Sequence, residues 1–333
     1  MSSSSSRPAR PSRRTLLAGS VAAAAATGIA AAPAVAAPRP HGHAPLRVMG
    51  HDVDVSLATP ELSRFFASYF EAKSGTDADA LMAHFARESV TYADATVGWI
   101  FRDWQSLYDQ FASLLGSWPE SAYAYPTRII GDLDSAVVFF TDSPELFGHE
   151  IRAVGTVDFR HGKVTRWVDH WDGRSLTVDG VAALRTPLDR FPTDFGEHRT
   201  GGNASPALRS AVRDLTTALA AGDATRAARL LDPDVVVADI ALHTLVTGRE
   251  RAAAFFARTL PTLPYGRGVT VRHVVGSARG GAFEWISRSR LPLGATVLEL
   301  GRDRLITRMT SVWDSALWPD AAVGSAQAAT ILG

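Results

Sequence analysis

The two halves of this chain carry one sequence pattern twice, and that repeat constrains the fold more than any other feature. Ser205-Pro206 matches Thr59-Pro60 (205 − 59 = 146), Val237-Ala238-Asp239 matches Tyr92-Ala93-Asp94 (239 − 94 = 145), and Trp313-Asp314 matches Trp171-Asp172 (313 − 171 = 142). Phe256, Leu260 and Pro264 likewise match Phe111, Leu115 and Pro119 at the offset of 145. Offsets that slip by a few residues, and only at loops, mark a duplicated domain. A length of 333 residues predicts the same count, at roughly 100–200 residues per domain.

Within the first copy the hydrophobic period changes once, from helical to extended. Thr59-Pro60-Glu61 is a helix start with proline at the first helical position, and Leu62, Phe65, Phe66, Tyr69 and Phe70 follow it on one face. A second short helix carries Leu81, Met82 and Phe85; a strand from Ser89 to Asp94 comes next; a third helix begins near Asp103 and ends before Pro119. Beyond it the period is two, over 127–130, 135–141, 151–159 and 163–171. Three helices followed by antiparallel strands predict an α+β domain, helices packed on one face of a curved sheet. The expected organisation is a first domain over 59–175 and a second over 205–318, joined by a linker at 176–204. A flexible tail over 37–58 and a weakly ordered Ala-rich tail over 319–333 complete it.

The N-terminus reads as an address. Ser12-Arg13-Arg14-Thr15-Leu16-Leu17, an Ala-rich apolar run and Ala34-Val35-Ala36 form the pattern of a twin-arginine export signal over residues 1–36, with a small-x-small cleavage site. The expectation is an extracytoplasmic protein with no membrane attachment once the signal is cleaved. There is no cysteine, which excludes disulfides, thiolate metal sites and thiol catalysis. Thirty-four basic residues balance 34 acidic ones, so neither nucleic acid nor an anionic membrane is an expected partner. His41, His43 and His51 lack a carboxylate at ligand spacing and predict no metal site. Gly276 to Gly281 lies between strand-like segments without a helix start, so it is no phosphate loop. Asn203-Ala204-Ser205 fits a glycosylation sequon and, more simply, a linker and helix cap.

The chemically suggestive stretch is Lys163 to Asp172, K-V-T-R-W-V-D-H-W-D. Alternation puts Trp167, Asp169 and Trp171 on one face and Arg166, Val168, His170 and Asp172 on the other. An aspartate between two tryptophans is raised in pKa if that face is enclosed; the other reading is a core of tryptophans with Asp169 at a wet sheet edge. Tyr92 and Asp94 share a face of the earlier strand, where Asp94 is either a pocket acid or an Asx turn. In the second copy Val237 replaces Tyr92 and Ser311 replaces Asp169, leaving Asp239 and Trp313 as the retained counterparts. Glu284, Arg288 and His243 read as solvated or strand-edge residues, and His170 as a surface or interface histidine.

The element order, the Gly-Lys turn into R-W-V-D-H-W-D and the Tyr-x-Asp strand resemble the nuclear transport factor 2-like superfamily, nearest to SnoaL-like polyketide cyclases and limonene epoxide hydrolases. The resemblance implies two tandem cone-shaped α+β barrels, each enclosing an apolar pocket, that pack through their sheets as an internal pseudo-dimer. It implies that Asp169 is the general acid or base, that Tyr92 and Asp94 match a Tyr-x-Asn pair that helps hold the reacting water, and that Ile151 and Ala153 line the pocket walls with Trp167 and Trp171; Asp94 in place of that Asn favours a shared-proton or acid/base pair with Asp169. Where those hydrolases carry an arginine and a second aspartate on the middle strand, this chain has no arginine, and Asp142 reaches the aspartate position only by a register slip. Glu120 is a further acid near the expected mouth. The expected function is cofactor-independent acid/base chemistry on a small apolar or polyketide-like molecule: cyclisation, isomerisation or epoxide hydrolysis. The other function class is a non-catalytic ligand-binding or scaffold protein.

Overall fold

The computed structural model describes residues 46–196 and 203–330, which belong to one compact unit. The predicted export signal lies outside the described residues. In the first half the elements are β1 (Leu46–Val48), β2 (His51–Ala58), α1 (Pro60–Ser74), α2 (Ala78–Met82), β3 (Thr91–Asp94), β4 (Trp99–Phe101) and α3 (Trp104–Leu115). They continue as β5 (Ala124–Gly131), β6 (Ser135–Asp142), α4 (Pro144–Phe147), β7 (Ile151–Arg160), β8 (Lys163–Trp171), a 3-10 turn (Gly173–Leu176) and α5 (Val178–Leu184).

The second half has α6 (Pro206–Ala221), α7 (Ala224–Arg229), β9 (Leu231–Asp239), β10 (Thr244–Thr247) and α8 (Arg249–Thr259). Then come β11 (Thr270–Ser277), β12 (Gly280–Ile286), β13 (Leu293–Leu300), β14 (Ile306–Trp313), a 3-10 turn (Ser315–Leu317) and α9 (Asp320–Ala328). Each half builds one mixed sheet, ordered β1-β2-β5-β6-β7-β8-β3-β4 and β10-β9-β14-β13-β12-β11. Read from the same end, the second order repeats the first without its leading pair of strands. In both, an antiparallel meander closes with a parallel pairing, β3 on β8 and β9 on β14. The protein is α+β, as the change of period predicts.

Local chemistry explains the boundaries. The Thr59 hydroxyl accepts from the Leu62 N–H and Ser205 from the Leu208 N–H, capping α1 and α6 ahead of their prolines. Asp103 does the same for α3 through Ser106. The apolar face of α1 then meets the sheet: Leu62, Phe66 and Phe70 are fully buried, in a core shared with Trp167 and Phe140.

Three stretches differ from expectation. Residues 46–58, read as tail, form β1 and β2, and β2 pairs in parallel with β5, Asp54 opposite Arg128. The region read as linker holds α5, whose Val181 is buried and whose Leu184 carbonyl accepts from Trp99 Nε1 at 3.1 Å. The Ala-rich end holds α9, with Val323 and Ala326 in the second core. β2 does alternate, with Val53, Val55 and Leu57 between polar residues, over a single short strand, whereas α5 and α9 are short helices rich in small side chains that show no clear face.

The sheets meet on the faces their helices leave open. Ile130, Val137 and Val154 of the first sheet pack with Val275, Ala282, Ala295, Val297 and Val312 of the second, each at most 1% exposed. Both faces of the central strands are therefore buried, which corrects the surface reading of Glu284. It is 1% exposed and receives the Arg166 guanidinium, Arg272 and the Thr156 hydroxyl. Burial works against its charge, yet the two arginines hold its carboxyl well below the usual range. His170 is 3% exposed beside this group, and burial pushes its pKa down to about 4. The glycine run ends the β11–β12 hairpin, where the Gly276 N–H donates to Ser135 Oγ of the first half at 2.9 Å.

Candidate active site

The final strand of the first half presents Trp167, Asp169 and Trp171 to the helix side, as alternation predicts. Parallel pairing sets Tyr92 beside Trp167 and Asp94 beside Asp169 in register, so three sequence-predicted groups converge. Asp169 is 6% exposed. Its Oδ2 accepts a short hydrogen bond from the Tyr92 hydroxyl, and its Oδ1 accepts from Trp167 Nε1 at 2.5 Å. Gly155 lies opposite Asp169 on β7. A Cβ there would sit 3.0 Å from the Trp167 ring, so glycine lets the indole lie across the strand and aim its N–H at the carboxylate.

Burial, the largest influence, pushes the Asp169 carboxyl up to about 7; the charge of Asp94 adds to it, while the Tyr92 and Trp167 hydrogen bonds and Lys73 oppose it. Such a group gives and takes a proton near neutral pH. Burial and the nearby Asp169 charge keep Tyr92 well above the ordinary tyrosine value, so it remains a donor.

Asp94 has another character. Its Oδ1 accepts from the Thr96 and Val97 N–H groups at 2.9 and 3.0 Å, and its Oδ2 from Trp171 Nε1 at 2.9 Å. It closes an Asx turn and anchors an indole, while its burial raises its pKa. The second half keeps that arrangement: Asp239 accepts from the Leu242 N–H at 2.9 Å and from Trp313 Nε1 at 3.1 Å. A Trp–Asp bond present in both halves belongs to the fold.

The remaining groups are unique to the first half. Val237 stands for Tyr92 and Ser311 for Asp169, and the Ser311 hydroxyl is turned to Thr296 at 2.9 Å. Asp239 instead takes a hydroxyl from Tyr265 at 2.9 Å, a residue with no counterpart in the pattern that sequence reading used. Burial pushes Asp239 up to about 6, and it is 2% exposed beside the second core.

Ile151 and Ala153 lie in the first core, each 4% exposed. Asp142 does reach the interior, where its Oδ1 accepts from Lys73 Nζ at 2.7 Å. Sequence reading missed Lys73, because a lysine in the last turn of a helix is what the helix dipole favours on a surface. Tyr69, on the apolar face of α1, stacks on Trp167 with ring centroids 4.7 Å apart. Glu120 is exposed. Two surface depressions, one of about 310 Å³ beside Tyr125 and Ile240 and one beside Trp318 and Arg258, are not lined by Asp169, Asp94 or Tyr92. The described residues hold no cluster of three or more metal-ligating side chains.

Residues 212–314 match the model of the SnoaL-like domain. Among solved structures, the chain is similar to a putative ketosteroid isomerase from Kribbella flavida, at 22% identity over 40% of this chain and 97% of that one, with a TM-score of 0.29. A steroid delta-isomerase from Pseudomonas aeruginosa is 13% identical over 39% of this chain and 93% of its own, TM-score 0.31. A SnoaL-like protein from Burkholderia thailandensis is 13% identical over 32% and 94%, TM-score 0.29. No curated protein matches the sequence.

Proposed function

We propose, for a chain whose residues 212–314 are a SnoaL-like domain, that the first half is a cofactor-independent acid/base enzyme acting on a small apolar molecule. The observation that carries this reading is the buried Asp169 carboxyl, raised to about 7 and bonded to Tyr92 and Trp167. A carboxylate in such surroundings accepts a proton from an acidic carbon or a hydroxyl and returns it elsewhere, as cyclisation, isomerisation or epoxide opening each require. Tyr92 fixes the carboxylate and supplies a neutral donor, while Trp167, Trp171 and Tyr69 restrict water. Asp94 holds Trp171 in place rather than sharing the proton.

The two halves act as an internal pseudo-dimer in this reading, the second serving as a platform whose own acid site is closed. Export through Arg13-Arg14 places the substrate outside the cytoplasm. The binding-module reading keeps one observation in its favour: aromatic rings pack closely about Asp169, Trp167 touching Tyr69, Phe66 and Phe85.

The test is exchange of the α-protons of 2-tetralone into deuterated buffer, followed by proton NMR. Native protein should accelerate exchange above buffer and Asp169→Asn should not. A native protein that binds 2-tetralone and accelerates nothing belongs to the binding module.

A further inference from the structure

We propose that Lys73, Asp142 and Trp118 form an anion-binding subsite of the first-half interior, one that selects apolar ring compounds carrying a delocalised oxygen anion such as a carboxylate or enolate. This rests on the reading that the same interior takes small apolar molecules.

Lys73 is 9% and Asp142 8% exposed, joined by one hydrogen bond of 2.7 Å. An ammonium has three N–H groups, and no further hydrogen bond of Lys73 is seen among the described residues. Its other neighbours are ring faces, with Nζ 4.9 Å from the centroid of Phe140, 5.8 Å from Trp118 and 6.0 Å from Phe70. Ring faces attract a cation but accept hydrogen bonds poorly, so a ligand oxygen replaces them at a gain. Trp118 supplies the second donor: its Nε1 is buried and has no partner among the described residues. An unpaired buried donor is costly, and a ligand acceptor relieves it. The subsite and Asp169 border one core: the Phe140 ring beneath Lys73 Nζ also meets Trp167, at 6.4 Å between centroids, and Trp167 Nε1 holds Asp169.

The fold does not need these groups. At the repeat offsets, Lys73 corresponds to Leu219 (219 − 73 = 146), Trp118 to Leu263 (263 − 118 = 145) and Asp142 to Ser287 (287 − 142 = 145). Leu219 and Leu263 are 0% and 3% exposed in the second core, so an apolar residue satisfies those two positions, and at the third the buried Ser287 carries no charge. A buried ion pair is seldom more stabilising than the apolar pair that replaces it. Lys73 and Asp142 therefore stand with Asp169 and Tyr92 as groups of the first half alone.

The test compares binding of 2-naphthoate and its uncharged isostere 2-naphthamide by intrinsic tryptophan fluorescence at pH 8. Native protein should bind naphthoate at least tenfold tighter than naphthamide. Lys73→Met/Asp142→Leu, which removes both charges together, should lose that preference while still binding naphthamide. Asp142→Asn, which frees Lys73, should tighten naphthoate severalfold, a gain that a merely structural ion pair does not give. Trp118→Phe should weaken naphthoate severalfold and leave naphthamide unchanged. Equal binding of the two probes by native protein, or a preference that survives the double variant, overturns the subsite while leaving the apolar interior intact. If native protein binds neither probe, the apolar-interior reading fails and the subsite with it.

Discussion

Asp172, at the end of the first half's last strand, accepts from both the N–H and the hydroxyl of Ser315 in the second half, at 2.9 and 2.8 Å. Asp314 returns the contact at the matching position, taking the Gly173 N–H at 3.2 Å and the Arg185 guanidinium. Each aspartate also caps its own 3-10 turn. A Cβ on residue 173 would lie 2.5 Å from Asp314 Oδ1, which is why glycine follows the first Trp-Asp pair. The repeated Trp-Asp therefore has two structural uses: tryptophan ties the strand to Asp94 or Asp239, and aspartate ties one half to the other.

Asp172→Ala should destabilise the protein by about 1–3 kcal/mol, the cost of leaving buried donors unpaired, and Asp314→Ala by about 3–5 kcal/mol, because the nearly buried Arg185 guanidinium also loses its carboxylate. Denaturant unfolding measures this, and a single transition should persist in both variants. A loss below about 0.5 kcal/mol, the range of ordinary surface changes, would show that the clasp carries no strain of the assembly.

Glu284 should be less tolerant. With Arg166 and Arg272 both bound to it in the interior, Glu284→Gln leaves two buried guanidiniums facing a neutral amide, and breaking such a pair costs about 3–5 kcal/mol. Thermal unfolding of Glu284→Gln beside Glu284→Gln/Arg166→Met checks the cause, because removing a cation with its partner should recover part of the loss.

Export is a question of the N-terminal residues alone. Replacing Arg13 and Arg14 together by lysine should leave precursor in the cytoplasm, seen by immunoblot of cell fractions. Unchanged mature protein outside the cell would remove the twin-arginine route from the proposal.

Stability should also follow pH through Asp169. Its pKa is raised on folding, from 3.8 to about 7, so the folded state holds a proton that the unfolded chain releases. That contribution is complete below pH 3.8 and is lost as pH rises through 7. Between pH 5 and pH 8 native protein should lose about 2–3 kcal/mol from this group, and Asp169→Asn should not. Denaturant midpoints at the two pH values, native against variant, give the difference; parallel changes in both would contradict it.

Much of this architecture is legible in the residues. The period-two run from Lys163 to Trp171 is β8 to the residue, Thr59-Pro60 starts α1, and Asp103 caps α3. Amphipathic pattern is local, so these elements announce themselves. What it could not show is which surface covers the polar face of a strand. Arg166, His170 and Glu284 alternate outward from their helices, and only the second sheet makes that face an interior. Lys73 was hidden for the converse reason: at a helix end a lysine normally reaches water, and here the aromatic wall and Asp142 enclose it. Within the site, alternation led to Asp169 and Tyr92, whereas their separation from Asp94 is not visible in the repeat. That separation needed the hydrogen bonds, because Asp94 and Asp239 look alike in sequence whichever role they play.

The chemistry of the first half turns on one proton. Carbon-13 NMR of protein labelled at aspartate side-chain carboxyls should show a resonance titrating with a midpoint near 7 that is absent from Asp169→Asn. Carboxyl resonances that all titrate below pH 5, or a resonance near 7 that survives the substitution, would contradict it.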